Sequence, residues 1–294
     1  MRKAVIDLGT NTFNLLIADV SEHSFEMIHS EKEGVALGMG GINEGKIAQD
    51  ALERGLKALA HFKEVSERFQ VQEIKGIGTS ALRDATNSAE FLEQVDNLLG
   101  IHIEIISGEK EAELIYKGVK LSYDFSRPGV IMDIGGGSTE FIFADSKGVN
   151  DLISLNIGVS RIYQHFTFHD PLSATDIVNI ENWLEDYSKG FFINKQADIL
   201  IGASGSFETF YELVHSVPFP EKLHSVEVHF VELMDSLELI ISSTQAERDV
   251  NQWIVPIRKK MAPIAAVKTR WVIRKFGVKN VIISPCSLKE GAFM

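Results

Sequence analysis

The period of the hydrophobic positions changes repeatedly along the chain, and it does so twice in the same order. Residues 3–8 and 12–20 are short apolar runs separated by one turn, which predicts a buried strand and its hairpin partner, with a third strand at 24–33. Ile47, Leu52, Leu56, Leu59, Phe62 and Val65 then recur near helical spacing and predict an amphipathic helix from about 46 to 69. A strand at 73–78, a helix at 88–99, a strand at 102–106 and a helix at 109–120 follow. The second half starts again with strands at 129–133, 138–145 and 150–156, then helices at 160–168 and 173–189. A strand at 198–202, helices at 205–215, 226–241 and 258–276, and a strand at 279–283 close the series. Three strands followed by alternating helix and strand, twice over, predict an α/β fold with mixed sheets.

The two halves also share residues. AVIDLGTNTFNLLIAD (4–19) aligns without a gap on VIMDIGGGSTEFIFAD (130–145), so that Asp7 falls on Asp133, Gly9 on Gly135, Thr12 on Ser138 and Asp19 on Asp145. One long offset marks a duplicated domain, because solenoid repeats recur every 20–50 residues or so. The expected domains are residues 1–122 and 123–294, with a cleft between them.

Composition adds little to this: 45% hydrophobic and 24% charged residues are ordinary for a globular chain. No apolar run approaches the roughly 18–20 residues of a membrane helix, and Asp7 interrupts the N-terminal apolar stretch, so a cytoplasmic protein without membrane insertion is expected. The single cysteine, Cys286, excludes an internal disulfide and a cysteine-based zinc site. Charge changes the picture more. The net charge is −12, yet residues 251–294 carry nine Lys/Arg against Glu290 alone. That basic stretch, including Arg258, Lys259 and Lys260, is either a solvated helix face or a surface that draws an anion.

Each repeat places an acid at a strand end and a tight turn behind it. In Gly135-Gly136-Gly137-Ser138-Thr139 no side chain blocks close approach, and successive N–H groups suit a phosphate; Gly9, Thr10, Asn11 and Thr12 form the matching turn. Asp7 and Asp133 would repel phosphate directly and so call for an intervening cation, for which magnesium fits. A third element, SGEKEAE (107–113), runs into a helix start, where its glutamates either favour the helix dipole or supply a cleft carboxylate.

With these motifs the chain resembles the exopolyphosphatase/guanosine pentaphosphate phosphohydrolase (Ppx/GppA) family of the actin-like superfamily. The resemblance rests on DLGTNTFNLLI, GTSALRDA (78–85), SGEKEAELIYKG (107–118), DIGGGSTEF (133–141), GASGS (202–206) and LKEG (288–291), and spans nearly the whole chain. It implies two ribonuclease-H-like (actin-like) domains. It also implies a magnesium-assisted hydrolase that cleaves terminal phosphate from polyphosphate or guanosine penta-/tetraphosphate, without a nucleic acid polymer as partner, and a homodimer. By motif position, Glu111 is the implied catalytic base, Asp133 and Glu140 hold metal and water, and Asp7 faces them. Gly205, Ser206 and Arg258 join the phosphate contacts; Arg83 is a phosphate clamp or a salt-bridge partner of Asp84.

Departures from the family pattern are Thr10 and Thr12 for serines, Asn14 for a cationic residue, Ser206 for threonine and Lys260 for an acid. The residues end soon after LKEG, which within the resemblance reads as a short form preferring shorter chains or nucleotides. A kinase or ATPase of the same superfamily, and a non-catalytic alarmone sensor, are the alternatives. His165 and His169 are read as packing residues, Trp183, Trp253 and Trp271 as core or interface anchors, and Cys286 as a bystander thiol.

Overall fold

A computed structural model describes residues 1–21, 24–188, 190–220 and 223–294. The first half builds a five-stranded sheet in the order β3-β2-β1-β4-β5, from β1 (Arg2–Leu8), β2 (Thr12–Val20), β3 (Phe25–Gly34), β4 (Glu73–Gly78) and β5 (Ile103–Ile105). The first three pair antiparallel, and β4 joins β1 in parallel. The second half repeats that order with β6 (Gly129–Ile134), β7 (Thr139–Asp145), β8 (Gly148–Leu155), β9 (Ile199–Gly202) and β11 (Asn280–Ile283), and adds β10 (Val226–Val228) as an antiparallel edge. The mixed α/β architecture with two equivalent sheets is the expected fold.

Strand period decides which core each residue joins. Ala4, Ile6 and Leu8 turn to the first-half core under α1 (Gln49–Arg68) and α3 (Ser88–Leu99), whereas Val5 turns to the opposite face. In β6, Val130, Met132 and Ile134 join the second-half core with α6 (Ala174–Ser188), α8 (Phe230–Ser242) and α10 (Ala262–Phe276), and Ile131 turns the other way. Val5, Ile77, Ile131, Ile142 and Ile201 meet in a third core between the sheets. There α4 (Gly108–Lys120) contributes Ala112, Ile115 and Val119, and Leu288 comes from α11 (Leu288–Gly291). Helix α4 packs on β7 and β8 and on α11.

Several expectations are corrected. The helix expected at 226–241 is split: Val226-Glu227-Val228 pairs with β11, and α8 starts only at Phe230. The helix expected from 258 begins at Ala262 because Pro263, which lacks an N–H, is accommodated in a first turn and not in a helix interior. Residues 256–258 form a 3-10 turn instead. The segment expected at 160–168 is α5, Val159–His165. Of the helix expected at 173–189, residue 189 lies outside the described residues. Three short helices escape the periodicity: α2 (Ser80–Asp84), α9 (Gln245–Val250) and α11, while α7 (Gly205–His215) coincides with its expectation.

Candidate active site

The same strand period that sends Val5 and Ile131 between the sheets sends Asp7 and Asp133 after them, two residues on along the same face. Antiparallel register sets Asp133 directly opposite Glu140 and, in the first half, Asp7 opposite Asn14. Asn14 is thus the repeat equivalent of Glu140, and its amide donates to Asp7 Oδ2 at 3.0 Å. On α4, Glu111 and Ile115 are one turn apart and both border the cleft. Asp7, Glu111, Asp133 and Glu140 therefore line one cavity between the halves.

Each carboxylate is held by at least one hydrogen bond. Ser287 Oγ donates to Asp133 Oδ2 at 2.5 Å, Ser154 Oγ to Glu140 Oε1 at 2.6 Å, and Arg83 Nη1 to Glu111 Oε2 at 2.9 Å. The second oxygens of Asp7, Glu111 and Asp133 make no hydrogen bond among the described residues. Glu140 is 1% exposed and Glu111 7%. Burial raises Asp7 to about 6 and Asp133 to about 7, the latter against the Ser287 bond and with help from Glu111 and Asp7. Burial and Asp133 raise Glu140 to about 7; burial and Glu140 raise Glu111, with Arg83 opposing. Four acids that resist ionisation together describe a place where negative charge awaits a cation.

Hydrogen bonding of the loops shows which edge of the backbone they offer. The carbonyls of Gly135, Gly136 and Gly137 accept from the N–H groups of Val159 (3.1 Å), Ser160 (2.8 Å) and Gly158 (3.2 Å) at the start of α5. In the first loop, Thr10 O accepts from Gly38 at 3.0 Å, and Asn11 O from Val35 (3.0 Å) and Ala36 (2.8 Å). With the carbonyls tied back, the N–H groups of Thr10, Asn11, Gly136, Gly137 and Ser138 donate to no acceptor among the described residues. All five residues line the cleft, as do Gly9, Thr12 and Gly135. Orphan amides beside a cavity are suited to anionic oxygens.

From the second half Gly205, Ser206 and Arg258 also reach the cleft. Two expected phosphate contacts do not. Arg83 spends its guanidinium on Glu111 and on Ile106 O (3.0 Å), and stands 4.0 Å from Asp84. Thr139 donates its hydroxyl to Ser138 O and accepts from the buried Lys268 at 2.6 Å, which turns it into the core. Nor do Lys259 and Lys260 line the cavity; Lys259 reaches Asp249 O. Much of the remaining basic stretch is paired on the surface: Arg270 with Glu238, Arg274 with Glu181, Lys275 with Glu185.

Sequence reasoning missed Lys32, Glu208, Ser287 and Lys289, which line the cleft, and Arg161. Arg161 bonds Gly137 O (2.7 Å) and Ile42 O (3.2 Å) and pairs with Asp84, so it joins the glycine loop to the first half. Ser287 had a signal: the spacing Ser287-x-x-Glu290 is that of a capping box, and both of its bonds are present. His165 packs on Phe166 and Trp183, and His169 bonds Asp176, so neither is a ligand in the cleft.

The cleft fits a hard cation in one respect, an all-oxygen donor set with Asp133 and Glu140 adjacent across β6 and β7. The spacing differs from a closed protein cage. Among the described residues, the trio whose ligand atoms all lie within 4.8 Å of one another is Glu31, Glu33 and His61, outside the cleft. An ion in the cleft would take one or two carboxylates and complete its shell with water and phosphate oxygens, which is how magnesium is usually bound.

Known proteins resemble this chain along most of its length. The chain is 31% identical to a bifunctional 3-dehydroquinate synthase/phosphatase of Fusobacterium nucleatum, over 99% of this chain and 46% of that protein. It is 33% identical to a guanosine-5'-triphosphate,3'-diphosphate pyrophosphatase of Vibrio parahaemolyticus, over 72% of this chain and 43% of that protein. It thus spans about half the length of these curated relatives or slightly less. The crystal structure of an exopolyphosphatase from Cytophaga hutchinsonii superposes with a TM-score of 0.94 at 31% identity, covering 99% of this chain and 96% of that one. The model of the Ppx/GppA phosphatase family matches residues 16–294, and the chain belongs to that family.

Proposed function

We propose that the protein is a magnesium-assisted phosphohydrolase that releases the terminal phosphate of inorganic polyphosphate or of a guanosine penta- or tetraphosphate. The observation that carries this is the meeting of two loops, each with free N–H groups, above four buried or half-buried carboxylates. Oxygens of a phosphate chain satisfy the amides, and the acids supply what an attacking water needs.

In this reading Glu111 takes the proton of the attacking water. Burial raises its affinity for that proton, and the Arg83 ion pair fixes its orientation while limiting the rise. Arg83 is thus a positioning residue, not a phosphate clamp. The amides of Thr10, Asn11, Gly136, Gly137 and Ser138 hold the non-bridging oxygens, and Arg258 adds a forked cation further along the chain. Asp133 and Glu140 would hold magnesium, which supplies charge neutralisation on the phosphate oxygens, with Ser287 and Ser154 orienting the two carboxylates. Residues 1–122 and 123–294 act as two domains that enclose the substrate. The deciding experiment is phosphate release with magnesium from long polyphosphate, tripolyphosphate and guanosine pentaphosphate. Release from at least one, abolished by chelation, is expected; none from any of the three refutes the reading.

A further inference from the structure

Across the mouth of the cleft a carboxylate stands where an anion would bind. Lys32, on β3, donates to both oxygens of Glu208 at 2.8 Å, and Glu208 belongs to the first turn of α7 in the other half. Arg258 Nη2 lies 3.7 Å from the same carboxylate, and Lys289 borders the same cavity. Arg258 is held in place independently. Its Nη1 donates to Thr209 Oγ1 at 3.0 Å, and its guanidinium lies so close over Gly205 that a Cβ there would stand 1.7 Å from Nη2. Glycine at 205 is therefore what lets the arginine reach the cleft, and its contact with Glu208 is the long, weak one.

Register places Lys32 relative to the acids. Asp7 pairs with Asn14, and Asn14 pairs with Lys32, so all three side chains share one face of the first sheet. Two strand spacings separate Asp7 from Lys32, about 10 Å. A phosphate chain with its terminal group at the carboxylates would run along this face towards Lys32 and meet Glu208 there. Two like charges cannot share that position, so one must leave.

We propose that Lys32 and Arg258, bridged by Glu208, form a subsite for an inner phosphate group of the substrate chain, and that the Glu208 carboxylate fills it until phosphate displaces it. The inference rests on the phosphohydrolase reading above. It turns the ion pair between the halves into a competitor: an internal anion occupies the subsite in the free protein, and a polyanion exchanges with it. Burial disfavours the Glu208 carboxylate, but Lys32 and Arg258 outweigh this and keep it ionised. A short or weakly charged phosphate compound that fails to reach Lys32 gains nothing from the exchange, so the device favours chains.

Calorimetric titration with magnesium tripolyphosphate tests it. Glu208→Gln keeps the size of the side chain and removes the competing charge, so binding should tighten about five- to tenfold. Lys32→Met should weaken binding, and Glu208→Gln should gain less in the Lys32→Met background than in the wild type. Equal or weaker binding by Glu208→Gln, or a gain independent of Lys32, overturns the proposal. Phosphate release is scored on the same samples. Binding changes as described with no release from tripolyphosphate, long polyphosphate or guanosine pentaphosphate in the wild type would remove the hydrolase reading and leave the subsite. Release with unaltered binding by Glu208→Gln would remove the subsite alone, as would a wild type that releases phosphate from one of these compounds without binding tripolyphosphate.

Discussion

At the scale of single residues, the cleft is a problem of proton affinity. Asp7 and Asp133 hold protons up to about pH 6 and 7, well above ordinary carboxylic acids, because burial penalises their charge. Between about pH 4 and 7 the folded chain therefore binds protons that the unfolded chain has released, and the stability contributed by this site falls as pH rises through that window. Without a divalent cation, thermal melting should show this loss, and Asp133→Asn should flatten it; magnesium should stabilise more above the window than below it. Equal slopes in wild type and variant would contradict the shift. Glu111 carries the catalytic expectation. Glu111→Gln keeps the size and the partner at Arg83 but cannot accept a proton, so kcat should drop about 10²–10⁴-fold with KM little changed, as steady-state kinetics will report. Activity within a few-fold of wild type would assign the base elsewhere.

Among elements, the short C-terminal helix has an influence out of proportion to its length. Helix α11 packs backbone to backbone on α4: a Cβ at Gly291 would lie 1.8 Å from Leu114 O, and one at Gly118 would lie 1.9 Å from Ser287 O. That approach sets Ser287 beside Asp133 and keeps Glu111 on the adjoining helix. Gly291→Val must push the two helices apart, at a cost of about 2 kcal/mol or more. Denaturant melts should show that loss together with a fall in kcat, whereas stability close to wild type would mean the contact relaxes easily. Strands were legible because short apolar runs bounded by turn residues leave few alternatives, and the duplicated turn exposed Asp7, Asp133 and both loops. Helix starts were less so. Val226-Glu227-Val228 runs directly into helical periodicity, and only its pairing with β11 marks it as a strand. The caps Thr244/Glu247 and Ser287/Glu290 do announce α9 and α11, but hydrophobic period alone passes over helices of six and four residues. Lys32 and Glu208 were hidden for another reason: neither has a local pattern, and their meaning arises only when two halves meet.

For the whole molecule, the halves are joined both by the apolar core between the sheets and by contacts across the cleft. Lys32–Glu208, Arg161–Asp84 and the bond from Ser160 Oγ to Asn11 Oδ1 (2.7 Å) all join one half to the other around the loops. Among the described residues no helix is long and apolar enough to cross a membrane. Polar contacts around the loops, of a kind a polyanion can replace, thus sit beside the apolar core that joins the two sheets. The unpaired amides of Thr10, Asn11, Gly136, Gly137 and Ser138 have a consequence of their own. A backbone N–H without an acceptor trades its hydrogen for deuterium without waiting for any opening of the fold. These positions should label within the earliest time points in the free protein, as fast patches inside two otherwise slow sheets. Magnesium tripolyphosphate should slow both patches together if one chain lies against both loops. Slowing of one patch alone would mean that the ligand rests on a single half, and slow labelling in the free protein would mean that the amides have partners after all. The protein thus carries an isotopic clock on each side of its cleft, and whether the two run in step reports whether the substrate spans it.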